Sequence, residues 1–225
     1  MLVEAPDGTL VEWNTPEWRA RTDFAPSLPD PLAVLVPYLD REPEWLVLGG
    51  LGDSPDGQEA LQRWPKAKLL GVDPDPRSIA WQREHGWPAD APLFEVALAA
   101  GCGFKKKMAM DQLNCASLHE LQLVAVPKSK IVCVPTVTLD TLDALFRFEN
   151  AVLWLDLEDY ECFALKGARH LLRSGRVLAV NVETRYHLDW QMEYVPWLLT
   201  TAGYERRLIW FRQWWGHNEV WTPRA

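Results

Sequence analysis

The stretch AVLWLDLEDYECFALKGA, residues Ala151–Ala168, decides the fold. It opens on an unbroken apolar run, Ala151 to Leu155, that reads as a buried strand. It then meets Asp156, Glu158 and Asp159 and passes directly into a helix-like segment. Alternate side chains of a strand share a face, so Trp154, Asp156 and Glu158 are expected on one side and Leu153, Leu155 and Leu157 on the other. Carboxylates at the carboxyl end of a buried strand are costly unless they face a cleft, a partner or water. In open α/β sheets that rim is where ligands bind. A plainer reading stands beside this one: acids in the first turn of a helix complement its dipole and need no ligand.

Strands and helices alternate on both sides of this stretch. Upstream, Glu44–Leu48 is a strand candidate that runs into GGLGDSPDG, Gly49 to Gly57, and then into a helix from Gln58 to Trp64. Strand, glycine turn and helix in that order let a ligand approach backbone N–H groups closely. The next strand, Ala67–Val72, ends at Asp73-Pro74. An acid at that tip, about 20 residues after the glycine turn, can accept hydrogen bonds from ribose hydroxyls. Each feature alone has an ordinary explanation, as a connecting turn or a turn-forming Asp. Their order and spacing together point to a nucleoside-containing ligand.

Pro76–His85 reads as a helix, Leu93–Leu98 as a third strand, and Gly101–Met110 as a loop whose lysines 105–107 form a solvated face. Ile131–Val137 alternates as a strand does, and Thr138–Phe148 follows as a helix. The helix after the central strand is expected to run to Arg173, with Gly175 as its terminator. Val177–Val182 is a strand ending at Glu183. Asp189–Thr200 is a helix interrupted by Pro196. Tyr204–Gln213 and Glu219–Trp221 close the chain as a hairpin around Gly216. These elements predict an α/β fold with a doubly wound, mostly parallel sheet and an antiparallel C-terminal strand. Before them, a hairpin over Leu2–Trp13 turning at Asp7-Gly8, a Pro-rich connection and a short helix over Leu32–Leu39 form an N-terminal addition, residues 1–40. The main domain is expected over residues 41–225.

The chain has 225 residues, enough for one large domain. Hydrophobic residues make up 48% and charged residues 24%, which suits a globular protein. The net charge of -8 argues against a nucleic-acid partner. The apolar runs are too short for a membrane span. The acidic N-terminus lacks a basic region followed by an apolar core, so no signal peptide is read. Four cysteines without CxxC pairing point to a reduced, cytoplasmic protein, with no metal expected. Thirteen tryptophans supply core, pocket and interface surface, which leaves room for a homo-oligomer.

Two blocks resemble the FkbM-type family of S-adenosylmethionine-dependent methyltransferases. Val137-Thr138-Leu139-Asp140-Thr141-Leu142 looks like that family's TLD-containing element. Leu155-Asp156-Leu157-Glu158, followed by Leu165-Lys166-Gly167-Ala168, is similar to its IDVEGAE…VLKGA run. Glu183 matches the acid that ends the next strand there, and Gly203-Tyr204 resembles the GY before the closing strands. The match covers roughly Trp45 to Trp210. The chain departs from the family's DxGxNxG pattern, with Leu48-Gly49-Gly50-Leu51-Gly52-Asp53-Ser54 in its place, and has Asp159 where the family prefers glycine.

The resemblance implies a class I, Rossmann-like methyltransferase fold with S-adenosylmethionine across the strand tips. Gly49, Gly50 and Gly52 would let the backbone approach the methionine part, with Asp53 taking over part of the missing polar role. Asp73, followed by Pro74, would hold the ribose, and Ala97 and Leu98 would border the adenine. Asp156 would sit near the sulfonium and the acceptor, a small molecule or sugar. Methyl transfer needs alignment of acceptor oxygen, carbon and sulfur, and a base for a hydroxyl's proton. Glu183 or His187 is the preferred base, with Asp156 and Glu158 beside it. A divalent cation shared by Asp156, Glu158 and Glu183 is the weaker alternative, because hard-cation sites need several converging oxygens. The altered glycine turn motivates a second reading: a non-catalytic relative that keeps the fold as a binding or assembly module.

Overall fold

The computed structural model describes residues 2–4, 10–12, 31–110, 118, 131–185, 189–213 and 216–224. Strands β1 (Leu2–Glu4) and β2 (Leu10–Glu12) pair antiparallel, as the N-terminal hairpin requires; its Asp7-Gly8 turn lies outside the described residues. The expected helix over Leu32–Leu39 is instead two 3-10 turns, Pro31–Val34 and Val36–Tyr38. Leu32 and Leu35, three apart, are both buried, which is the spacing that a three-residue turn places on one side.

The main sheet has seven strands. β3 (Trp45–Gly49), β4 (Lys68–Val72), β5 (Leu93–Phe94), β9 (Ala151–Leu155) and β10 (Val177–Arg185) are mutually parallel. β11 (Tyr204–Gln213) and β12 (Gly216–Pro223) complete the order β11-β12-β10-β9-β3-β4-β5, with β12 antiparallel to both its neighbours. All residues of β3 and β9 are buried, as strands covered on both faces must be, and their apolar runs reflect it. Within β9 the faces still alternate. Ala151, Leu153 and Leu155 join one core cluster, whereas Val152 and Trp154 join the other.

Helices cover both faces. α1 (Asp56–Arg63) and the 3-10 turns lie on the side of Trp154, with Trp64 and Trp87 beneath them. α2 (Pro76–Glu84) follows β4; Asp75 caps it through the Arg77 amide at 2.8 Å. α3 (Leu139–Phe146), α4 (Glu161–Lys166), α5 (Arg169–Arg173) and α6 (Asp189–Thr201) lead into and out of β9 and β10. Leu139, Leu142, Leu165, Leu171, Leu198 and Leu199 carry them onto the opposite face. α6 runs through Pro196 without interruption. No helix among the described residues is long and apolar enough to cross a membrane.

Three further expectations need correction. Leu93–Leu98 is two strands. β5 stays in the main sheet, but the chain leaves it at exposed Glu95, and β6 (Ala97–Leu98) pairs with β8 (Ile131–Val137) in a second, three-stranded sheet. Lys105–Ala109 is a strand, β7, antiparallel to β8, and not a loop. Its lysines at 106 and 107 are exposed while Met108 and Ala109 are buried, so half of the strand supplies core to the second sheet. The helix after the central strand is broken at Gly167-Ala168 into α4 and α5. A Cβ on Gly167 would overlap the Ala99 carbonyl, so the second sheet packs directly on the break.

The two sequence blocks that carry the family resemblance meet at this break. Thr138 caps α3, its hydroxyl accepting from the Thr141 amide at 3.0 Å. The Asp140 amide donates to the Gly167 carbonyl at 2.9 Å. The Asp140 carboxylate accepts from the His170 amide at 3.1 Å and the Leu171 amide at 2.9 Å, capping α5 from another helix. Removing a cap of this kind costs about 1–2 kcal/mol. Asp140→Ala is therefore expected to lower unfolding free energy by that amount in chemical denaturation, because two helix-end amides lose their acceptor.

Candidate functional site at the strand tips

The chain winds from β3 to β4 and β5 on one side and to β9 and β10 on the other. The switch point therefore lies between β3 and β9, and in such sheets the crevice at the carboxyl ends of those strands is the place for a ligand. Gly49 pairs with Leu155 as the last register position of the two strands. One residue on, Gly50 has φ +77°, and a Cβ there would overlap the Asp156 carbonyl oxygen. The Gly49 carbonyl accepts from the Asp156 amide at 2.9 Å, and the Gly50 amide donates to the Val72 carbonyl at 3.0 Å. Glycine is needed here twice over, for backbone conformation and for space.

Asp73 fastens the same turn from β4. Its Oδ2 accepts from the amides of Leu51 at 2.7 Å and Gly52 at 3.1 Å, while Oδ1 accepts from the Asp75 amide at 2.8 Å. The residue is only 6% exposed. Burial pushes its carboxyl above the ordinary range, against the three amide bonds that pull it down. Gln82 of α2, also buried, donates from Nε2 to the Ser54 carbonyl at 2.8 Å and stitches down the far end of the turn. Nothing in its sequence context marked Gln82; only the packing of α2 on the turn reveals it.

After β9 the alternation of faces ends. Glu158 and Asp159 both have left-handed φ, 52° and 78°, and neither is glycine. Such residues are held against a local preference by their surroundings. The turn brings Glu161, first residue of α4, back beneath Leu157, whose amide donates to Glu161 Oε1 at 2.7 Å. One carboxylate oxygen from each of Asp156, Glu161 and Glu183 lies within 4.8 Å of the others. Asp156 is partly exposed, whereas Glu161 and Glu183 are buried. Carboxylates this close repel one another, and burial adds to the cost of charging all three. The next residue, Cys162, is no candidate nucleophile: burial pushes its thiol up to about 12.

The structure thus brings together Gly49, Gly50, Gly52, Asp73, Asp156 and Glu183. Leu98 and Ala97 are buried in β6, and Leu98 packs over Gly49: its Cδ1 would be 2.6 Å from a Cβ there. Asp53 is exposed and Pro74 partly so, on the outer side of their turns. Glu158 is partly buried on the strained turn, and Glu161 takes the place beside Asp156 and Glu183 that the sequence assigned to Glu158. His187 lies outside the described residues. Glu161 was hidden because a first-turn acid reads as a dipole partner; its place as the last acid of the LDLEDYE run was the available signal.

No protein-family profile and no curated protein matches the chain. Solved structures do. The fibrillarin pre-rRNA processing protein of Methanococcus jannaschii is 7% identical over all of this chain and 83% of its own, with a TM-score of 0.50. A TehB-like SAM-dependent methyltransferase from Corynebacterium glutamicum is 12% identical over 85% of this chain and 86% of its own, with a TM-score of 0.47. Precorrin-6y C5,15-methyltransferase from Geobacter metallireducens is 11% identical over 86% and 87%, with a TM-score of 0.45. The fold is the Rossmann-like methyltransferase fold. At these identities the likeness speaks to the fold alone.

Gly50 and Gly175 separate space from conformation. Gly175 has φ +73°, with nothing within 4 Å of the point a Cβ would occupy. Gly175→Ala is expected to cost about 1 kcal/mol. Gly50→Ala should cost more than about 3 kcal/mol, since the Asp156 backbone must move. Thermal unfolding of the two variants side by side checks the difference.

Proposed function

We propose that the crevice binds S-adenosylmethionine and that the chain is a methyltransferase of the FkbM type, acting on a hydroxyl of a small metabolite, sugar or glycan. The observation that carries this reading is the junction of Gly50 with Asp156 at the switch point. It sets a glycine-rich turn on one side of the crevice and the Asp156 carboxylate on the other. A glycine turn at the switch point of such a sheet fits a ligand lying close to backbone. The Val137–Leu142 and Leu155–Ala168 blocks support the narrower family assignment.

In this reading the cofactor supplies a methyl carbon made electrophilic by positive sulfur. Asp156, partly exposed at the crevice, provides negative charge beside that sulfur and orients the acceptor hydroxyl. Glu183 takes the hydroxyl proton as the new oxygen–carbon bond forms and the carbon–sulfur bond breaks; His187 is the alternative base. Gly49, Gly50 and Gly52 border the methionine part, and Ala97 and Leu98 the adenine. Asp73 serves the ribose with lone pairs left over from its three amide bonds, since a carboxylate offers about four acceptor positions. Asp53 and Pro74 flank these turns. Residues 1–40 are read as an addition to the main domain.

A second reading has its own support. The Leu51 and Gly52 amides already bond to Asp73, and Leu98 lies over Gly49, so the turn is closed by the protein's own groups. A non-catalytic relative used for binding or assembly would look like this. Calorimetric titration with S-adenosylmethionine separates the two. Saturable binding, weakened about tenfold or more in Asp73→Ala, is expected for the methyltransferase. No heat at millimolar cofactor would leave the binding module. Glu183→Gln should keep cofactor affinity and lose at least about a hundredfold in turnover, the scale of a missing general base; unchanged turnover removes Glu183 from the chemistry.

A further inference from the structure

We infer that Glu161 is a positioning residue, a buried carboxyl that fastens the Asp156–Tyr160 turn through the Leu157 amide and does not need its negative charge to do so. This rests on the reading of the strand tips as the binding site, because the fastened turn is the wall against which Gly50 sits.

Three observations carry it. Glu161 is 1% exposed, and its Oε1 accepts the Leu157 amide at 2.7 Å. Asp156 and Asp159 from the preceding turn and Glu183 from β10 lie beside it, all acidic. Acidic groups gathered this closely around a buried carboxyl raise its affinity for a proton. Burial, with Asp159 and Asp156 reinforcing it, pushes Glu161 well above the ordinary glutamate range. The third observation is mechanical. Glu158 and Asp159 hold left-handed φ values, so the turn is not self-supporting. The Leu157 amide follows the Asp156 carbonyl, and that carbonyl is what Gly50 packs against. A loosened turn would therefore disturb the glycine turn across the crevice.

The sign of the pH dependence follows. In the unfolded chain Glu161 ionises near 4.5; in the folded chain it does so well above that. Its stabilising contribution is fully present below 4.5 and is lost as pH rises through the folded value. Glutamine keeps an oxygen for the Leu157 amide and has no proton to lose. Unfolding midpoints of wild type and Glu161→Gln, measured from about pH 5 to about pH 9, are expected to diverge in favour of the variant as pH rises. Glu161→Ala should unfold at lower temperature than Glu161→Gln throughout, and should bind S-adenosylmethionine about tenfold more weakly, with Glu161→Gln rescuing the affinity.

Two results would overturn the inference. One is a Glu161→Gln midpoint below wild type at neutral pH that does not recover as pH rises, the mark of a glutamate needed in ionised form. The other is a midpoint raised by magnesium or manganese chloride in wild type but not in Glu161→Gln, which would make Glu161 part of a cation site. Both readouts stand even if S-adenosylmethionine fails to bind, a failure that would count against the proposed function instead.

Discussion

The contact between Gly50 and the Asp156 backbone governs everything else at the strand tips. Two central strands end side by side, and their continuations would collide if Gly50 carried a side chain. One strand solves this by turning left-handed at glycine; the other turns left-handed at Glu158 and Asp159, without one. The pair of turns is then stapled from both flanks. Asp73 and Gln82 hold the first, and Glu161 holds the second. Each staple is a buried polar group whose partners are backbone, so the crevice walls are fixed by hydrogen bonds that water cannot easily replace.

A separate joint lies deeper on the same face. Asp140 and Gly167 tie the start of α3 to the break between α4 and α5, while the second sheet presses on that break through the Ala99 carbonyl. The LKGA segment thus has a mechanical meaning: glycine allows the close approach, and the following amides are capped from outside their own helix. This joint sets where α4 begins relative to β9, and so where Glu161 can reach. Asp140 belongs to the support of the crevice rather than to its group of carboxylates.

The hairpin at the other edge shows the same economy of buried charge. Glu219 of β12 is 1% exposed, and it receives His217 Nε2 at 2.9 Å, Trp221 Nε1 at 2.7 Å and Arg206 Nη1 at 3.1 Å. Three donors outweigh burial and hold this carboxyl below the ordinary glutamate range. At the strand tips the balance is reversed: Asp156, Glu161 and Glu183 lie close together, and burial with acidic neighbours pushes Glu161 well above the ordinary glutamate range. The two clusters, on neighbouring strands, illustrate how partner chemistry decides the state of an acid.

The alternation of strands and helices, the glycine turn, the acid ending β4 and the apolar central strand were all legible in one dimension. They are local signals: runs of buried residues, glycine where the backbone must turn, helix caps such as Thr138. The amino-acid sequence by itself thus determined a doubly wound sheet and the neighbourhood of its crevice. Only the tertiary structure decided that Leu93–Leu98 divides between two sheets, that the helix after β9 breaks at Gly167, and that Glu161 joins Asp156 and Glu183. The reason is physical. Those outcomes depend on groups distant in the chain, the Thr136 and Val137 carbonyls, the Ala99 carbonyl and the side chain of Asp140, whose positions exist only once the sheet is assembled.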